Sequence, residues 1–177
     1  GVQLSGRKLR AAQIVAMQTE GMGTFESARE FCKVMCTDPI FPDYPVYGSN
    51  NWYYAYGDSS EEEILQDTDY IVELTKGVDN PPYMVIDDCW QEHHRLDEYN
   101  GGPWKKGNIK FPDMGALAKK LEEKGVRPGI WVRFLLNEEE TIPQEWRLSH
   151  NDCLDPSHPG VLSYIQEDVE RICNWGY

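Results

Sequence analysis

Residues Tyr83–Gln91 read YMVIDDCWQ, an apolar strand that runs into two adjacent acids. Tyr83 to Ile86 form its body, with no polar alternation, as expected of a parallel strand covered on both faces. Helix signals flank it. Upstream, Ser60 stands three residues before Glu63 as a capping box, and Ile64, Leu65, Ile71, Val72 and Leu74 make an apolar stripe. Downstream, Asp113 is placed to cap MGALAKKLEEKG, where Met114, Leu117 and Leu121 share a face and Gly125 ends the helix. The pattern repeats on either side. PVYGSNNW (45–52) and VRPGIWVRFLL (126–136) read as strands, and VLSYIQEDVERICNWG (161–176) as a third amphipathic helix with Val161, Leu162, Ile165, Val169 and Ile172 on its stripe.

Apolar strands alternating with amphipathic helices predict right-handed βαβ connections and a parallel sheet. The long polar segments all follow strands, which is how the loops of a barrel gather at its catalytic face. The expected fold class is therefore α/β, a partial (β/α)8 TIM barrel comprising the first three βα units. The chain has 177 residues where a whole barrel takes about 250. The plain alternative is a compact α/β domain whose sheet is completed by the first forty residues. Of these, residues 8–18, KLRAAQIVAMQ, suit a strand or a short helix. GTFESAREFCKVMC puts Ala28, Phe31, Val34 and Met35 at helical spacing, and PIFPDYP (39–45) stops that helix as a linker. The division expected is 1–44 for the end of a preceding domain and its linker, and 45–177 for the barrel units.

Seventeen Lys and Arg stand against 30 Asp and Glu, a formal net charge of −13. Such a chain repels phosphate backbones and anionic lipid, so neither nucleic acid nor a membrane is an expected partner, and no apolar run is long enough to span a bilayer. The five cysteines, Cys32, Cys36, Cys89, Cys153 and Cys173, are odd in number and scattered, which favours a reducing compartment, the cytoplasm. Cys89, His93, His94, Cys153 and His158 raise the question of zinc. They lack HExxH or paired CxxC spacing, so neither metal nor cofactor is expected.

Asp87 and Asp88 are the sharpest candidates for chemistry. Neighbouring strand residues point to opposite faces, so they divide between the barrel mouth and its rim rather than form a catalytic pair. A carboxylate accepts two hydroxyl hydrogen bonds at fixed positions, which suits a polyol; the plain alternative is that Asp88 caps local backbone and Asp87 meets a buried cation. Trp52, Trp90 and Trp131 fall at or near the three strand ends. Each offers a broad apolar face for the C–H side of a sugar ring, and each is explained as well by core packing. Arg133, two residues past Trp131, shares its side under strict alternation and could pair with an acid or a substrate there. The acidic runs Glu61–Glu63 and Glu138–Glu140 read as a helix start and a solvated loop.

In order, GSNNWYYAYG, YMVIDDCW, FPDMGALAKKLEEKGVRPGIWV and LDPSHPGVLSYIQEDVERICNWGY resemble the α-galactosidase superfamily of retaining glycoside hydrolases, over about Tyr47 to Tyr177. The family's opening motif is similar to GWNSW: Gly48, Asn50 and Trp52 match it, while Ser49 and Asn51 depart from it. The resemblance implies that Trp52 is a sugar platform, that Asp87 and Asp88 recognise sugar hydroxyls and that Trp90 belongs to the pocket wall. It places the nucleophile, in a K-x-D motif, and the acid beyond Tyr177, and implies a β-sandwich domain before the barrel. The implied partners are a terminal α-galactoside and the remainder of the same protein, with oligomers open. A noncatalytic carbohydrate-binding or structural module, and galactosyl transfer, are the alternatives.

Overall fold

The computed structural model describes residues 4–148 and 151–177, which form two units, divided after Asp43. In the first, α1 (Thr24–Met35) forms where the helical spacing predicts, and none of its residues is buried. Residues 8–18 adopt neither the strand nor the helix expected of them, and among the described residues up to Asp43 there is no strand.

The second unit runs β1 (Gly48–Asn50), α2 (Trp52–Ala55), α3 (Glu61–Leu74), β2 (Tyr83–Ile86), α4 (Met114–Lys124), β3 (Arg127–Ile130), a 3-10 turn (Gln144–Trp146) and α5 (Pro159–Trp175). The strands are parallel in the order β1-β2-β3, with Gly48 beside Tyr83 and Tyr83 beside Arg127. Gly48 lets β1 approach, since a Cβ there would collide with the Tyr83 backbone. Caps form at the expected places. Ser60 Oγ accepts from Glu63 N at 3.4 Å, and Asp113 Oδ1 accepts from Ala116 N at 2.8 Å. A further cap stands at α5, where His158 Nδ1 accepts from Gly160 N at 3.1 Å, and Gly125 and Gly176 close α4 and α5 at φ +94° and +109°.

Two strands are shorter than their apolar runs. β1 stops at Asn50 because the Asn50 side chain accepts from Trp52 N at 2.8 Å and turns the chain into α2, so Trp52 opens a helical turn instead of closing a strand. β3 stops at Ile130. Trp131 N still reaches Ile86 O at 2.8 Å, but the chain then turns, with Leu136 N on Arg133 O at 2.9 Å.

The sheet has a covered face and an open one. Met84 and Ile86 are fully buried beneath α3 and α4, which supply Ile64, Met114, Leu117 and Leu121 to the same core. Tyr83 and Val85 are half-buried on the other face, where Asn50, Val85 and Gly129 lie side by side. Leu74, counted in the α3 stripe, is exposed. A second, smaller cluster of Ile142, Leu154 and Val161 seats the start of α5.

Candidate functional site

The site lies where β2 ends. Asp87 continues the open face and Asp88 the covered one, as alternation requires. Asp87 is half-buried: Oδ1 accepts from Asp88 N at 2.8 Å and Oδ2 from Asn50 Nδ2 at 2.7 Å, while its own N donates to Asn51 Oδ1 at 2.7 Å. Asp88 is only 5% exposed. Its Oδ1 accepts from Gln91 Nε2 at 2.7 Å, and its Oδ2 takes no hydrogen bond among the described residues. Neither acid meets a buried Lys or Arg among them.

Asp88 and Trp52 line one cavity of about 260 Å³, with Tyr56 and the loop His94–Asn100 as its other walls. The half-buried Trp52 ring stands edge-on to Tyr56, centroids 5.9 Å apart. A wider hollow of about 630 Å³ lies behind His94 and Leu96. Its charged residues satisfy one another, Lys106 with Glu92 at 2.7 Å and Lys110 with Asp58 at 2.5 Å, so it has little left to offer a ligand.

Trp90 is displaced from the expected pocket wall. It has no exposed surface; its ring lies between Trp104 (5.6 Å) and Trp175 (6.0 Å), and its Nε1 donates to Trp131 O at 2.9 Å. A side chain so enclosed has no face for a sugar. Trp131 is half-buried, edge-on to Trp104 at 6.1 Å. Arg133 is exposed and donates from Nη1 to Asn100 Oδ1 at 2.6 Å, so its partner is an amide of the neighbouring loop rather than an acid.

The second acidic run is no solvated loop. Glu138 takes Arg95 in a two-pronged pair, Nη1 to Oε1 at 2.7 Å and Nη2 to Oε2 at 2.9 Å, and its backbone N donates to Tyr99 OH at 2.7 Å. Gly102 N donates to Leu136 O at 2.8 Å. Glu139 binds Lys105 and accepts from Tyr164 OH at 2.7 Å. These contacts fasten the loop after β2 to the loop after β3 as one rim. The Arg95 guanidinium holds the Glu138 carboxyl below the usual carboxylate range. Burial pushes Glu139 up, but its bonds to Lys105, Tyr164 and Thr141 outweigh that and leave it low as well.

A depressed folded-state pKa contributes stability above the unfolded value, about 4.3 for Glu, and that contribution is lost as pH falls through the folded value. Melting curves from about pH 6 down to about pH 3 should therefore show a steeper fall in Tm for the wild type than for Glu138→Gln, by a few degrees at most, since the pair is largely in water. Equal slopes would show that Arg95 does not select the charged form.

Sequence reasoning passed over Asn50, Asn51 and Gln91 as functional residues. Asn51 is 1% exposed and Gln91 is fully buried, and both hold the backbone or side chain of an aspartate. The doubled amide before Trp52 was the available signal for the first two; Gln91 had none. Burial pushes the Cys89 thiol up to about 12, which suits a packed thiol rather than a nucleophile. Among the described residues no cluster of three His, Cys, Asp or Glu could hold a metal, and no helix is long and apolar enough to cross a membrane.

No family model matches the chain. It is 26% identical over 133 residues to an α-galactosidase of rice, Oryza sativa, and 29% identical over 136 residues to the α-galactosidase mel1 of Schizosaccharomyces pombe. Each match covers 75% of this chain. The chain is a relative of the α-galactosidases. It spans 28% and 26% of those two proteins. Among solved structures, an α-galactosidase of Thermus thermophilus in complex with stachyose superposes with a TM-score of 0.60 at 22% identity, over 78% of this chain and 32% of that one. The GH36 α-galactosidase AgaB of Geobacillus stearothermophilus gives 0.55 at 25% identity, over 75% and 20%. The three-stranded parallel sheet and its helices thus resemble part of a GH36 α-galactosidase domain, and Asp87, Asp88 and Trp52 of this α-galactosidase relative all lie at its strand ends.

Proposed function

We propose that the full-length protein hydrolyses terminal α-galactosides with retention, in a (β/α)8 barrel of which this chain supplies the first three βα units. One observation carries the reading: Trp52 and Asp88 wall the same cavity, with an Asp88 Oδ2 that takes no hydrogen bond among the described residues, while Asp87 ends the adjoining open face beside Asn50. A ring with one apolar face and an edge of hydroxyls asks for that combination of indole and carboxylates. About 260 Å³ is below the usual range for whole-ligand pockets, and suits one sugar unit rather than a chain of them. Trp131 and Arg133 then belong to the rim, Trp90 to its support, and the nucleophile and acid to the chain beyond Tyr177. In a retaining enzyme those two carboxyl groups stand about 5 Å apart and act through a covalent glycosyl intermediate. The five cysteines are free thiols, in keeping with a cytoplasmic protein.

The test is the full-length gene product with p-nitrophenyl α-galactopyranoside and its β-anomer. Nitrophenol release from the α-anomer alone is expected, with α-galactose as the first sugar seen by NMR. No release from the α-anomer overturns the activity, and β-galactose appearing first overturns retention.

A further inference from the structure

His94 is placed by two elements at once. Its side chain is 11% exposed, and it stands between the turn that follows α2 and the carboxylate at the end of β2. Nε2 lies 3.0 Å from Gly57 O. A carbonyl oxygen only accepts, so Nε2 carries a proton and donates it. Nδ1 faces Asp88 Oδ1 at 3.3 Å and is buried without a hydrogen-bond partner among the described residues. Gly57, at φ +87°, closes the ring in: a Cβ there would meet His94 Cε1 at 3.2 Å and Leu96 Cδ1 at 3.3 Å. A buried ring nitrogen that makes no hydrogen bond of its own is costly, and a site that keeps one beside a carboxylate calls for an explanation.

We propose that His94 is a positioning residue for sugar recognition: the Nδ1 edge of its ring, set beside Oδ1, holds the Asp88 carboxylate against Gln91 so that Oδ2 presents to the cavity lined by Trp52. Gln91 donates to Oδ1 at 2.7 Å and the His94 ring lies 3.3 Å from the same oxygen, so both occupy that end of the carboxylate and leave Oδ2 to the ligand. The assignment rests on the reading of Asp88 as an acceptor of sugar hydroxyls.

Two replacements separate the ring's two nitrogens. Asn sets an amide nitrogen where Nδ1 stands, beside Asp88, whereas Gln reaches as far as Nε2 and can keep the bond to Gly57. In the full-length gene product acting on p-nitrophenyl α-galactopyranoside, His94→Gln is expected to raise KM about tenfold with kcat within about twofold, the mark of a weakened hydrogen bond from the sugar to a misplaced Asp88, made equally in substrate and transition state. His94→Asn should recover KM to within about threefold of wild type. The reverse order, or equal KM values for the two variants, overturns the proposal and leaves His94 as a tether for Gly57.

A thermal-melt cycle of His94→Gln, Asp88→Asn and the double variant reads the same pair without sugar. The His94→Gln loss should shrink in the Asp88→Asn background, and additive losses overturn the pairing. If the wild type releases no nitrophenol, the functional reading fails, while the melting cycle still decides the pairing.

Discussion

Asp87→Asn is expected to lower kcat/KM of the full-length protein for an aryl α-galactoside about a hundredfold, with the melting temperature within a few degrees of wild type. Two losses combine. The charged acceptor on the open face becomes a neutral amide, and a hydrogen bond to a charged group contributes about 1.5–3 kcal/mol, roughly 10- to 150-fold. The second loss is local. The new amide could still accept from Asp88 N through its oxygen, but its nitrogen would present an N–H to Asn50 Nδ2, donor against donor. Asn50 could relieve this by turning its amide over, and would then withdraw the oxygen that accepts from Trp52 N. Either way the turn that sets Trp52 is disturbed by a change one strand away. Steady-state kinetics with a melting curve for each variant measure it; kcat/KM within threefold of wild type would remove Asp87 from the site.

Trp90→Ala should be the most damaging core change, costing about 3–5 kcal/mol. Against a domain stability of about 5–15 kcal/mol this is a large share, and a fall in Tm on the order of 10–20 °C is expected. The ring is enclosed by Trp104 and Trp175, and its N–H satisfies the carbonyl of Trp131, so truncation leaves both a void and an unpaired acceptor. Trp90→Phe keeps most of the volume and loses only the donor, so it should melt between the two. A Trp90→Ala protein that melts within about 3 °C of wild type but binds galactoside poorly would return Trp90 to the pocket wall.

The contrast between Trp90 and Trp52 shows what the sequence could and could not reveal. Both indoles stand near strand ends and both fit a sugar platform by type. What buries Trp90 is Trp104, which sits in a loop with no periodicity, so no local pattern announces the pair. The strand body Tyr83–Ile86, the caps Ser60 and Asp113 and the closing Gly125 were legible because caps and strand patterns act over a few residues. The extents of β1 and β3 were not, since an Asx turn and a reverse turn cut apolar runs that propensity would have continued. Glu138–Glu140 misled for the same reason as Trp90: their partners Arg95, Lys105 and Tyr164 are 25 to 43 residues away. Around that cavity, the doubled acid and Trp52 stood out in the sequence as neighbours of strand ends, and the amides and imidazole packed against them did not.

The groups that hold the two aspartates all lie between Asn50 and His94, and the longest spans among them, Asn50 to Asp87 and Gly57 to His94, are 37 residues. The rim waits for Glu138, 43 residues beyond Arg95. On a ribosome, where the chain emerges in order, the cavity lined by Asp88 and Trp52 can therefore close before its rim exists. Arrest of synthesis once Leu135 has emerged should yield nascent chains with Asp88 already seated and the loop after β2 still free to move, so the cavity and its enclosure are acquired at separate moments in the life of each molecule.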